Sequence, residues 1–179
     1  MPASPTLTEG DVTLSPLVPE DVDAHLAGED AELVRWLNGG TGDRAATEEH
    51  VRYCGAQWAG GGPLRAFGLR VGSPPVLAGT IDLRFGMPGL DSDQVNIAYG
   101  LYPAWRGRGL ATRAVRLACR YAAAEGAAEG VIQVDPANPR SAAVAVRAGF
   151  SYVMQVRRLD GGLFDRYVRD LARDAEPGA

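Results

Sequence analysis

Apolar and polar positions alternate along Val12-Thr13-Leu14-Ser15 with the period of two that a half-buried strand requires. A different period governs residues 109–124, where Leu110, Ala114, Leu117, Ala118 and Tyr121 share one side of a helix while Arg113, Arg116 and Arg120 line another. Extended along the chain, the pattern predicts a strand at 12–17, helices near 20–27 and 30–37, and a helix at 47–58. Strands follow at 65–71, 76–85 and 94–102, then a helix at 109–124, a strand at 130–135, a helix at 139–148 and strands at 151–159 and 163–170. Gly72-Ser73-Pro74-Pro75 and Gly86-Met87-Pro88-Gly89 punctuate the middle strands as turns of a meander, after which comes one β-α-β unit. The fold class is α/β (α+β): a mixed, largely antiparallel sheet flanked by helices.

Length changes this picture little, since 179 residues suit one domain with a sizeable core. The domain is expected at 10–173, with 1–9 and 174–179 as loose ends because neither shows a periodic pattern. No basic-then-apolar leader opens the sequence, and no apolar run approaches the ~20 residues of a membrane span, so a cytoplasmic protein is expected. Cys54 and Cys119 suit neither a disulfide framework nor a metal site and read as buried reduced thiols. Two histidines, His25 and His50, stand apart in helical contexts, so no metal is expected.

The chemistry concentrates where Ile97-Ala98-Tyr99-Gly100-Leu101 runs through Tyr102-Pro103-Ala104-Trp105 into Arg106-Gly107-Arg108-Gly109-Leu110-Ala111-Thr112. This is a strand, an Arg/Gly turn and a helix start, and glycines there let backbone N–H groups close on an anion under the positive end of the helix. The ligand is therefore expected to carry phosphates. A Walker loop needs a lysine, and all 18 basic residues of this chain are arginine. A dinucleotide fingerprint needs glycine where Thr112 stands, and its glycines follow the strand directly.

Arg106, Gly109 and Ala111 fit the spacing Arg/Gln-x-x-Gly-x-Gly/Ala, which resembles the acetyl-CoA loop of the GNAT superfamily of N-acetyltransferases. Downstream, Asp135-Pro136-Ala137-Asn138-Pro139-Arg140-Ser141 and Arg147-Ala148-Gly149-Phe150 look like the second half of that signature. With the Tyr-x-Leu-x-Pro lead-in, they resemble its ribosomal-protein N-terminal acetyltransferase branch over roughly residues 10 to 170. The resemblance implies a three-layer GNAT fold and acetyl-CoA as co-substrate. It implies pyrophosphate contacts from Arg106, Gly107, Arg108, Gly109, Leu110, Ala111 and Thr112, with Arg113 within reach of the 3′-phosphate. Backbone groups of Tyr99, Gly100 and Leu101 are expected to pair with the pantetheine arm. An N–H near Leu101 would steady the oxygen that turns negative as an amine attacks, a contribution of ~3 kcal/mol. Asn138 is expected to bond the pantetheine amides or cap the next helix, and Ser141 to cap it or to protonate the departing sulfur.

Two departures from the family pattern matter. The tyrosine expected seven residues after the asparagine is Ala145, and the glutamate often found before the Ile-Gly-Tyr segment is Asn96. A base must then come from elsewhere. Asp82 ranks first, with Glu48, Glu49, Asp135 and Asp165 behind it; pairing with Arg84 on one strand face is the competing use of Asp82.

Charge is two-sided: residues 1–60 carry 11 acidic groups against three arginines, and residues 101–179 carry 12 arginines against eight acidic groups. The basic half holds the phosphate loop, and the acidic half suits an amine or basic peptide end. The net charge of −4 and scattered Trp36, Trp58 and Trp105 argue against nucleic acid as a partner. Two functions stand: acetyl transfer from acetyl-CoA to a primary amine, or an acyl-CoA-binding sensor or interaction module that has lost turnover. The strands at 151–170 either finish the sheet within one chain or pair across a homodimer.

Overall fold

The computed structural model describes residues 5–38, 40, 42–157 and 161–172. Its sheet has eight strands in the order β1-β2-β3-β4-β5-β6-β8-β7. They are β1 Leu7–Glu9, β2 Val12–Pro16, β3 Leu64–Val71, β4 Val76–Phe85, β5 Gln94–Leu101, β6 Glu129–Val134, β7 Ser151–Arg157 and β8 Leu163–Asp170. The helices are α1 Val22–Gly28, the single turn α2 Ala31–Leu33 running into a π-turn at Val34–Asn38, α3 Arg44–Gly60, α4 Leu110–Ala124 and α5 Pro139–Arg147. Every strand contact is antiparallel except β5 on β6.

Alternation sorts the side chains onto two faces. Phe67, Ile81, Leu83, Val95 and Ile97 pack with Leu110, Ala114, Leu117 and Ala118 of α4, whose apolar stripe is buried as its period requires. Trp58, Phe67 and Tyr121 meet edge to face there, with ring centroids 5.0 to 6.0 Å apart. On the other face Leu64, Ala66 and Leu77 pack with Val22 of α1 and with Val51 and Cys54 of α3. Helices thus cover both faces, giving the three layers. Both cysteines are buried thiols outside any disulfide.

Boundaries follow local chemistry. Helix α3 starts at Arg44, three residues before its expected position, because the Asp43 carboxylate accepts the Ala46 N–H at 2.8 Å. Residues 158 and 159 of the strand expected at 151–159, and the tail expected at 174–179, lie outside the described residues. The expectation that 1–9 is loose is corrected over Leu7–Glu9 alone, which pairs as β1 with Val12–Leu14, and residues 1–4 lie outside the described residues. Three residues are too short for a periodic signal, and tertiary bonds hold them instead. From α4, Arg113 donates to the Glu9 carbonyl at 2.5 Å and pairs with Asp11 at 2.8 Å, while Arg120 pairs with Glu9 at 2.8 Å. Arg113 is thus bound to the β1–β2 turn, neither on a solvated face nor held toward the 3′-phosphate contact that the resemblance left open to it. The strands at 151–170 complete the sheet within the chain, leaving β7 at its edge with Tyr152, Val153 and Met154 exposed.

Two arginine forks fix the segment between β2 and α3. Arg70 of β3 reaches both carboxylate oxygens of buried Asp21 at 2.7 Å each, anchoring the turn that starts α1. Arg106 does the same to Asp30 at 2.7 and 2.8 Å, adds Glu32 at 3.0 Å, and donates its Nε to the Leu101 carbonyl at 2.9 Å. One guanidinium therefore joins the entry of α2, the end of β5 and the turn before α4.

Arg106 holds the Asp30 carboxyl at about 2, below its ordinary 3.8. A carboxylate depressed on folding adds stability above its unfolded pKa and loses it as pH falls through the folded one. Asp30→Asn is accordingly expected to lower the urea midpoint near neutral pH, with the gap from wild type narrowing between about pH 4 and about pH 2. A gap that stays constant over that range rules out the clamp as its source. A second expectation concerns Gly79 of β4, where an added Cβ would collide with the Gly100 carbonyl on β5. Gly79→Ala is expected to cost about 1–3 kcal/mol in urea unfolding, as overpacking does.

Candidate active site

Strands β5 and β6 run parallel for only three residue pairs, Gln94 with Glu129, Val95 with Gly130 and Asn96 with Val131. Beyond Asn96 they part, while β5 stays paired with β4 as far as Leu101. The Tyr102 N–H donates to Ala78 of the β4 strand, and alternate residues of a strand turn their backbone groups to opposite edges. Gly100 therefore faces β4, and the backbone groups of Tyr99 and Leu101 face the gap. The pairing expected of Gly100 is corrected on this ground, and its missing Cβ serves another end. A side chain there would collide with Leu33 and Leu37, so glycine lets α2 and the π-turn close over the strand.

The gap opens into a cavity of about 1000 Å³. One end of it is built by Gly107, Gly109, Leu110, Ala111 and Thr112. Gly107 and Gly109 have φ of +75° and +73°, which favour glycine, and a Cβ on either would enter open space. The first bond of α4 runs from the Arg113 N–H to the Gly109 carbonyl at 3.2 Å, so the N–H groups of Leu110, Ala111 and Thr112 precede the helical ladder. An anion fits this cradle by charge and shape. Of the two loop arginines, Arg106 lines the cavity and Arg108 does not. Arg106 is spent on carboxylates and on Leu101, and exposed Arg108 lies over the Trp105 ring at 5.3 Å, outside the cavity wall.

At the far wall, α5 begins at Asn138, whose Oδ1 accepts the Ser141 N–H at 3.1 Å. Capping is thus the part the Asn138 carbonyl plays in the structure, and the residue also lines the cavity. The Ser141 Oγ lies 3.0 Å from the Tyr99 hydroxyl, which also donates to the Ser141 carbonyl at 3.0 Å. Beyond the backbone role expected of Tyr99, its side chain bridges the parted strands to α5. Burial pushes its hydroxyl up to about 12, against the downward pull of the Ser141 hydrogen bond and the Arg147 charge. Arg147, at the end of α5, also lines a smaller cleft of about 540 Å³ with Arg116 and Arg169. Ala145 is fully buried in the core and brings no hydroxyl to the cavity.

The carboxylates expected to act as bases disperse. Asp82 points to the α1–α3 face, across the sheet from Tyr99, and is absent from the cavity wall; it pairs with Arg84 at 3.4 Å. Burial pushes its carboxyl up, against Arg84 and the two histidines. Glu48 and Glu49 are exposed on α3, paired with Arg44 and Arg52, and Asp165 accepts from Gln155 at 3.2 Å. His25 is bonded to the Tyr102 hydroxyl at 2.8 Å, and burial holds its pKa down. Asp135 does reach the cavity wall, and so does Glu32, which sequence reasoning passed over because nothing local marks it. Trp36, under the Arg35 guanidinium at 4.2 Å, completes that wall with Leu33 and Leu37. Among the described residues, no three His, Cys, Asp or Glu side chains gather as a metal site would need, and no helix is long and apolar enough to cross a membrane.

No curated protein matches the chain. Among solved structures, RimL, the ribosomal L7/L12 alpha-N-protein acetyltransferase in complex with coenzyme A, aligns with a TM-score of 0.80 at 18% identity, covering 96% of this chain and 100% of its own. The aminoglycoside acetyltransferase AAC(6')-Ib in complex with coenzyme A and kanamycin aligns at 0.75 and 17%, covering 91% and 96%. A GNAT-family acetyltransferase from Bacillus anthracis aligns at 0.74 and 15%, covering 92% and 96%. These show a shared fold. The family model for the acetyltransferase (GNAT) domain matches residues 11–151, and the chain belongs to that family.

Proposed function

We propose that this protein moves the acetyl group of acetyl-CoA to a primary amine by direct attack within one ternary complex. The observation that carries the reading is the meeting, in one cavity, of a strand edge with free backbone donors and a helix start with unpaired N–H groups. Pyrophosphate would lie on Gly107, Gly109 and the N–H groups of Leu110, Ala111 and Thr112, which offer several donors and the helix dipole at once. The pantetheine arm would run along β5 as an added strand, bonded to Tyr99 and Leu101. The Leu101 N–H would then steady the thioester oxygen as negative charge grows on it.

The fold relatives support an amine acceptor: one is named for a protein N-terminus, and another holds kanamycin, an aminoglycoside. In this chain Glu32 and Asp135 are carboxylates of the cavity wall, suited to collecting an ammonium group, whereas Asp82 is not. Arg106 and Arg140 offset part of the Glu32 charge, which leaves Asp135, together with water, as the group to take the amine proton. Ser141 faces the end of the pantetheine path and is assigned the proton given to the departing sulfur. The reading places the protein in the cytoplasm with its co-substrate.

Titration calorimetry with acetyl-CoA, followed by thiol release in the presence of peptide N-termini and aminoglycosides, tests the reading. Wild type is expected to bind and to release thiol only when an amine is present. Gly109→Trp, which fills the open space of the cradle, is expected to lose binding by more than about 100-fold, the worth of several charge-assisted hydrogen bonds. Binding with no release across the panel would favour a sensor, and absence of binding would overturn both readings.

A further inference from the structure

We propose that Tyr99 supplies, through the Ser141 hydroxyl, the proton taken up by the departing sulfur, so that a phenol from β5 replaces the α5 tyrosine that this chain lacks at Ala145. The inference rests on the acetyl-transfer reading above.

The geometry is specific. The Tyr99 hydroxyl sits 3.0 Å from the Ser141 carbonyl oxygen and 3.0 Å from Ser141 Oγ. A carbonyl can only accept, so in the bond to it the phenol keeps its own proton, and the Ser141 hydroxyl can donate to the phenol oxygen or turn toward the cavity. When the carbon–sulfur bond breaks, its electron pair stays on sulfur, and Ser141 gives that sulfur its proton. The serine oxygen is then the strongest acceptor within reach of Tyr99. The phenol proton passes from its place on the carbonyl to Oγ by rotation about the C–O bond alone, with no ring movement. The negative charge comes to rest on the phenolate near the Arg147 cation, and solvent returns the proton. The attacking ammonium loses two protons, one counted against the thiol and one released to solvent, so the sum balances.

Burial keeps the phenol protonated at every physiological pH but weakens it as an acid, and the Ser141 hydrogen bond and the Arg147 charge act against that weakening. A serine hydroxyl alone is too weak an acid to leave as an alkoxide, and Tyr99 removes that obstacle by reprotonating it as it donates. Asn138 holds the Ser141 N–H, fixing the serine at the first turn of α5. Tyr99 is thus a positioning and proton-supplying residue behind Ser141.

The same two hydrogen bonds would also tie β5 to α5 in a purely structural role, and the test separates the two. Tyr99→Phe, Ser141→Ala and the double variant are compared with acetyl-CoA and with the selenium analogue, the acetyl selenoester of CoA. A selenol is a much stronger acid than a thiol, so its anion leaves without a proton. With acetyl-CoA, Tyr99→Phe is expected to lower kcat by about 100-fold, as loss of a general acid does, with KM for acetyl-CoA within about twofold of wild type. The double variant should fall within about threefold of Ser141→Ala alone, because the two groups act in series. With the selenoester, Tyr99→Phe should run within about threefold of wild type. An equal loss on both donors, an unchanged kcat with acetyl-CoA, or multiplicative losses in the double variant would overturn the relay. Wild-type turnover is the reference: if it is absent, acetyl transfer itself falls, and if it is present in wild type and Tyr99→Phe alike, only the relay does.

Discussion

The early parting of β5 from β6 is the constraint on which the rest of the molecule depends. A strand inside a sheet normally spends its N–H and C=O groups on both neighbours, and buried groups left without partners are costly. Here three pairs of residues are joined and the next five residues of β5 are held by β4 alone. The fold meets that cost from several sides. Arg106 takes the Leu101 carbonyl, Tyr99 carries the strand's side-chain bonding over to α5, and Gly100 lets Leu33 and Leu37 close the opening. The groups still unspent, above all the Tyr99 and Leu101 N–H, are the ones an extended ligand can use.

Arginine supplies most of the long-range ties. Each planar fork binds two oxygens at fixed geometry, which a lysine ammonium cannot do, and this chain has no lysine. Arg70 on Asp21, Arg106 on Asp30 and Arg113 on the β1–β2 turn each join segments far apart in sequence. The arithmetic of charge along the chain is therefore a poor guide to ligand contacts. Several arginines of the basic half turn out to neutralise the acidic half, and the cradle at the start of α4 is made of glycines and backbone instead.

Much of the architecture was legible in the sequence because it rests on period and punctuation. Alternation gave the strands, the stripe from Leu110 to Tyr121 gave α4, and the two glycines of the loop marked the anion cradle. What escaped was set by partners distant in the chain. Leu7–Glu9 pairs because Arg113 and Arg120 hold its end, Asp82 turns to the wrong face because its strand register puts it opposite Ala98, and Glu32 reaches the cavity because Arg106 draws α2 inward. The Tyr99–Ser141 contact joins residues 42 apart, and no local pattern announces such a pair.

The Arg106 clamp also bears on how this scaffold can change. Trp36, Leu33 and Leu37 shape one wall of the cavity, yet none of them anchors it; Asp30 and Arg106 do. Mutational drift can therefore remodel that wall residue by residue while its tie to the loop before α4 stays put. A library that randomises Trp36 and Leu37 but spares Asp30 explores new cavity shapes on an intact frame, and one that includes Asp30 samples mostly broken frames.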